Sequence, residues 1–141
     1  MSSSERTFAL DPMRRLDRAV HVELERLMAD AGFPEVRVPH LAAMAHIPRG
    51  EGIRMSELAD LMQVTRGAAT QIVNYLEQHG YLERVRDPSD GRGVIVRPTS
   101  AAERGYEVAR ARIAELEEGW RRRVGPERWD TFRGVLDELA G

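Results

Sequence analysis

Arg66, Gly67, Thr70, Gln71 and Asn74 gather on one side of a helical wheel drawn for the stretch TRGAATQIVNYLEQHG. Ala68, Ala69, Ile72, Val73 and Leu76 fall on the other side. A solvent-facing helix ordinarily mixes Glu and Arg on its outer face. This one offers a guanidinium, a hydroxyl, two carboxamides and a gap, an inventory suited to base edges and phosphates. The plain alternative is a solvated polar face, so the weight of the reading rests on the flanking elements.

Those elements are legible on both sides. Thr65 suits an N-cap and Gly80 a C′ position, bracketing a helix of about four turns over residues 65–80. Upstream, Ser56 is placed to cap a short apolar-periodic helix over 57–62, with Leu58, Ala59 and Leu61 as core. Only Gln63 and Val64 separate the two helices, which makes a helix-turn-helix whose second member is the groove-entering one. Downstream, 81–86 and 94–97 read as strands joined by DPSDGRG, a link longer than a tight hairpin needs. The loop projects from the sheet and carries Arg92 outward, and 53–55 supplies a third short strand. The pattern predicts a mainly α fold with a small β-wing, a winged helix-turn-helix.

The run MSELADLMQVTRGAATQIVNYLEQHGYLERVRDPSDGRGVIVRPT resembles the core of MarR-type transcriptional regulators, dimeric winged-helix proteins that typically repress promoters and often release DNA on binding a small molecule. Its most specific segment is Asp87-Pro88-Ser89-Asp90-Gly91-Arg92, similar to the family's Asp-Pro-x-Asp-Arg-Arg wing, with Gly91 where many members carry the first Arg. The resemblance implies that Thr65, Arg66, Gly67, Thr70, Gln71 and Asn74 meet the major groove, Gly67 permitting close backbone approach. Arg86 and Arg92 would meet phosphates or the minor groove. With one wing Arg, two roles stay open for Arg92: bracing the loop against Asp90, or touching DNA. The resemblance also implies a pocket for a small aromatic or lipophilic effector between the dimer helices and the core, near His21, Val38, Leu41, Met44 and Ile113.

Composition narrows the classes. The chain has 141 residues, no cysteine and no lysine; its 21 basic residues are all Arg. Disulfides, thiolate nucleophiles, Cys-ligated zinc, Walker-type lysines and Schiff bases are therefore excluded. There is no nucleophile elbow, His-Glu-x-x-His pair or glycine-rich strand-to-helix turn, so no catalytic residue, cofactor or metal is expected. His40 and His46, six apart on a helix, sit about 240° from each other and make a poor metal pair. DPSDG lacks the alternate-residue spacing of a calcium loop. No apolar run is long enough to span a membrane and residues 1–6 lack a signal peptide's apolar centre, so a cytoplasmic location is expected. Net charge is −2, and residues 65–97 hold five Arg against four acids, a net of +1, weak for a duplex binder.

The length suits one domain over 1–141, with the winged core at 37–99 and dimerisation helices at 8–36 and 100–141. Residues 2–7 are polar and expected to fray. Asp11-Pro12 reads as an N-cap followed by N1, and Leu16, Val20, Leu24, Leu27 and Met28 form one stripe ended by Gly32. Pro39 starts a short helix over 40–47. Thr99 or Ser100 caps a long helix in which Tyr106, Ala109, Ile113, Leu116 and Trp120 make a seam; Gly125-Pro126 breaks it, and Trp129, Phe132, Leu136 and Leu139 resume it. A core of this size leaves those seams uncovered, so a homodimer is expected, with Trp120 and Trp129 in its contact and two copies of the reading helix facing a pseudo-palindromic double-stranded operator. The alternative function is a winged-helix protein–protein interaction module without DNA binding.

Overall fold

The computed structural model describes residues 8–141, so the expected fraying of 2–7 lies outside it. The elements run α1 (Leu10–Asp30), α2 (Val38–His46), β1 (Ile53–Arg54), α3 (Met55–Met62), α4 (Arg66–Gln78), β2 (Leu82–Arg86), β3 (Val94–Pro98), α5 (Ser100–Val124) and α6 (Pro126–Ala140). The fold is mainly helical with a small antiparallel sheet, a winged helix.

Capping chemistry sets most boundaries. The Thr65 Oγ1 accepts the Ala68 backbone N–H at 3.1 Å and opens α4. Gly80, at φ 78°, takes the left-handed conformation that lets the Tyr81 N–H close onto the Leu76 carbonyl at 2.8 Å. The turn between α3 and α4 uses the same closure with a non-glycine residue. Gln63 sits at φ 56°, and the Val64 N–H donates to the Ala59 carbonyl at 3.1 Å. Thr99, not Ser100, caps α5.

Two expected caps are corrected. Ser56 lies inside α3, which starts one residue earlier because Arg54, extended in β1, hands the chain directly to Met55. Asp11 lies inside the first turn of α1, whose N-cap position is Ala9; Asp11 complements the helix N-terminus there without capping it. For the same reason the first strand is Ile53–Arg54 and stops short of Met55.

Strand β3 is central. Ile53 pairs with Val96 and Arg54 with Ile95 on one edge, and Leu82 to Arg86 pair with Pro98 to Val94 on the other. Beneath the sheet Leu58, Val73, Leu76 and Val96 are fully buried with Ala43, Met44, Ile47, Tyr81 and Leu82. Each large aliphatic side chain buried there contributes about 1.5–3 kcal/mol. That core fixes the rotation of α4, turning Ala69, Val73 and Leu76 inward and its polar residues outward.

Trp129 corrects another expectation. It is buried within the protomer, packed between Trp120 at 5.9 Å and Phe132 at 5.7 Å, so it closes the α5–α6 corner.

Candidate nucleic-acid interface

On the outer side of α4, Thr65, Arg66, Gly67, Gln71 and Asn74 are exposed and Thr70 is half-buried. None packs into the protein's interior. Thr65 is committed through its oxygen to the cap. A Cβ added at Gly67 would meet only the Thr65 Oγ1, at 3.9 Å, so nothing in the fold demands glycine there. The gap it leaves faces outward. Asn74 is held from below: the Arg84 Nη2 on β2 donates to its Oδ1, while the Arg84 Nε reaches the Glu77 Oε2 at 3.1 Å.

The wing is braced by a residue that sequence reasoning did not single out. The Arg54 Nη2 on β1 donates to the buried carboxylate of Asp87 and lies 4.0 Å from Asp90. Asp87 Oδ1 also accepts the Ser89 hydroxyl at 2.7 Å and the Ser89 backbone N–H at 2.9 Å. These Ser89 bonds first, and Arg54 after them, hold the Asp87 carboxyl below the usual carboxylate range. The expected Asp90–Arg92 brace is corrected accordingly. Asp90 Oδ1 accepts the Arg92 backbone N–H at 3.0 Å, and the Arg92 guanidinium makes no ion pair among the described residues.

These pairings change what the weak net charge means. Of the four acids in 65–97, Glu77 faces Arg84, Glu83 holds Arg97 at 2.6 Å, and Asp87 and Asp90 face Arg54. Arg66, Arg86 and Arg92 are exposed and without an ion pair among the described residues. They open α4, end β2 and stand on the wing. Positive charge is therefore concentrated on three outward guanidiniums, while Glu77, Glu83 and Asp87 each face another arginine and Asp90 shares Arg54 with Asp87.

Behind the core, a cavity of about 370 Å3 lies among α1, α2 and α5. His21, Val38, Leu41, Met44 and Ile113 all line it, with Leu76 of α4 and Tyr81. Its tyrosine hydroxyls are committed: Tyr106 donates to the Met44 carbonyl at 2.8 Å and Tyr81 to the Glu35 carboxylate. Burial, then the neighbouring Glu103, pushes the Tyr106 hydroxyl up to about 12. Besides these tyrosines, the lining holds His21, 3.4 Å from Asp17, and the exposed Arg110.

Comparison with known proteins agrees with this architecture. A MarR family model matches residues 35–93. The multiple antibiotic resistance protein MarR of Escherichia coli (strain K12) is 28% identical over 100 residues, covering 70% of this chain and 69% of that protein. The winged-helix core of this chain is thus similar to that of MarR-family proteins. A crystallised mutant of the E. coli MarR superposes with a TM-score of 0.79 at 18% identity, covering 98% of this chain and 100% of that one. The PcaV transcriptional regulator of Streptomyces coelicolor, crystallised with its natural ligand, gives 0.70 at 22% identity, covering 99% and 96%. NadR in complex with 4-hydroxyphenylacetate gives 0.70 at 18%, covering 99% and 98%. These structures share the fold.

The contacts that hold α4 in this core are long-range and leave no local trace in the sequence. The Tyr75 hydroxyl donates to the Glu35 carbonyl at 2.7 Å, and its ring lies between His40, stacked at 4.1 Å, and His79 at 4.3 Å. The His40 Nδ1 accepts the Arg37 backbone N–H at 3.0 Å, which requires an unprotonated nitrogen. Burial pushes the His40 imidazole below its ordinary value of 6.5, helped by His79 and Arg37 and opposed by Glu25. The unfolded chain therefore binds this proton more tightly than the folded one. Stability from the neutral ring is full above the unfolded value and is lost as pH falls from there toward the depressed folded value. Melting midpoints should drop as pH falls below 6.5, and His40→Gln should flatten that part of the profile. An equally steep drop in the variant would clear His40 of the effect.

Proposed function

We propose that this chain is a dimeric, sequence-specific DNA-binding transcriptional regulator of the MarR type and of the cytoplasm, acting as a repressor relieved by a small aromatic or lipophilic molecule. The carrying observation is the coincidence of an outward amide-and-hydroxyl face on α4 with three unpaired arginines on α4, β2 and the wing. In this reading Arg66, Gly67, Thr70, Gln71 and Asn74 lie in the major groove, with Thr65 at its edge. Arg86 and Arg92 meet phosphates or the minor groove.

Dimerisation is supported by apolar side chains the protomer leaves uncovered. Leu24 and Met28 of α1 are buried, but Phe8 and Leu10 are 73% and 58% exposed and Leu139 of α6 is 78% exposed, with Met13, Leu16, Val135 and Leu136 also open. A second copy covering them would present two reading helices to half-sites about one DNA turn apart. The cavity supports the effector reading, because its wall includes Leu76, on the inner side of the same α4. A ligand that fits better when Leu76 shifts would bias the angle of the reading helix.

The test is binding of the full chain to promoter fragments and to random duplex at several salt concentrations. A regulator selects particular fragments, with an affinity that falls steeply as salt rises. A protein-contact module selects none. Gln71→Ala should weaken the selected site by about 1–3 kcal/mol and relax preference at one base pair per half-site. Equal loss on random duplex would contradict base reading by Gln71.

A further inference from the structure

We infer that Arg84 is a positioning residue that sets base preference without touching a base: by binding the Asn74 Oδ1, it orients the amide and weights that side chain toward donating to the groove. The inference rests on the DNA-binding reading above and adds to it which edge Asn74 accepts.

Arg84 sits on β2, outside the helix-turn-helix, and its guanidinium spans two residues on neighbouring turns of α4. Nε is 3.1 Å from the Glu77 Oε2, and Nη2 donates to the Asn74 Oδ1. The Glu77 carboxylate anchors the guanidinium from one side, so the bond to Asn74 is aimed and not incidental. A guanidinium has donors and no acceptor. Turning the Asn74 amide over would set its NH2 against that donor, so the orientation is fixed by chemistry.

An amide is planar. With Oδ1 drawn toward β2, the Nδ2 hydrogen anti to the oxygen points away from the strand, and the syn hydrogen lies beside the oxygen. An unconstrained Asn reads adenine with a fork that needs O and N together, accepting from N6 and donating to N7. Arg84 takes one of the two lone pairs of the Asn74 oxygen and fixes the plane of the amide, which disfavours setting that fork against adenine. What Asn74 offers most freely is its NH2, matched to guanine N7 or O6 or thymine O4. The adjacent positive charge of Arg84 further disfavours the amino groups of adenine and cytosine.

The probe is a randomised duplex pool, selected separately with the full chain and with Arg84→Ala, Arg84→Met, Arg84→Lys and Asn74→Ala. The wild type should enrich guanine or thymine at one position of each half-site. Asn74→Ala should flatten that same position and no other. Arg84→Ala, and Arg84→Met with its apolar stem retained, should move that position toward adenine by about tenfold in relative enrichment, leaving the rest of the motif intact. Arg84→Lys keeps one donor and should restore much of the wild-type preference. If the Arg84 variants bind more weakly with unchanged base frequencies, Arg84 is only a charge and the inference fails. It also fails if Asn74→Ala alters no position. A wild type that enriches no motif removes the DNA reading itself, a separate and recognisable result.

Discussion

Gly52→Ala should destabilise the chain by about 2–5 kcal/mol, while Gly50→Ala, two residues away, should cost about 1–2. Both glycines take the left-handed conformation, at φ 78° and 84°. Any L side chain there carries the same backbone strain, about 1–2 kcal/mol. The difference is space. A Cβ at Gly50 meets nothing within 4 Å. A Cβ at Gly52 would collide with the Val96 carbonyl oxygen and lie 2.7 Å from the Ile95 Cγ2 and 2.8 Å from the Arg97 Cβ. Two of these three contacts are with main chain or a Cβ, which cannot swing aside as the tip of a long side chain can. Relief must therefore come from moving β1 off β3, which overpacks or opens the sheet at about 1–3 kcal/mol more. Thermal unfolding should show Gly52→Ala melting roughly 10 °C or more below the parent, with Gly50→Ala only slightly shifted. DNA affinity should fall with it, because the strand that moves carries Arg54 to the wing. Equal midpoints for the two variants would mean that β1 does not approach β3 as described.

The same contrast shows why some of this molecule was legible in the sequence and some was not. Thr65 and Gly80 bracket α4 because capping is a local event, read within four residues. Gly125 and Pro126 break α5 from α6 for the same reason. The outward polar face of α4 follows from a 3.6-residue period, whereas the residues around the cavity are reached only through what the family resemblance implies. Arg54 on Asp87 is different: the two are 33 residues apart and meet only because β1 pairs with β3 in one particular register. Tyr75 on Glu35 spans 40 residues, and Arg84 on Asn74 joins a strand to a helix. Nothing in composition or spacing distinguishes Arg54 or Arg84 from the other arginines. The Asp90–Arg92 brace is one of the two roles that the family resemblance leaves open for Arg92. Two residues apart, however, a carboxylate is better placed to take a backbone N–H than a side-chain head, and that is the bond formed. Asp11 misplaced the start of α1 because an acid beside proline is equally at home inside the first turn.

Replacing Arg66, Arg86 and Arg92 together by Ala should flatten the salt dependence of DNA binding more than any other change of equal charge. A protein that neutralises Z phosphates shows a log–log slope of about −0.9Z. Three unpaired guanidiniums per protomer, doubled in the proposed dimer, set the slope reduction at up to about 5, and the affinity at about 0.1 M salt should fall by more than about a thousandfold. The control is the double variant Glu83→Ala with Arg97→Ala, which deletes an ion pair at 2.6 Å and leaves net charge unchanged. Because that guanidinium is already compensated by its carboxylate, it contributes little field outward, and its exposed pair holds little stability. The control slope should match the parent's. Fold integrity is not at issue, since all three replaced side chains are exposed and make no ion pair among the described residues. If the two variants lose slope equally, the phosphates are not met by the unpaired arginines, and the wing and α4 do not form the contact surface. If only the triple variant loses it, the weak formal charge of the segment is explained: its acids lie beside Arg54, Arg84 and Arg97, and Arg66, Arg86 and Arg92 remain for DNA.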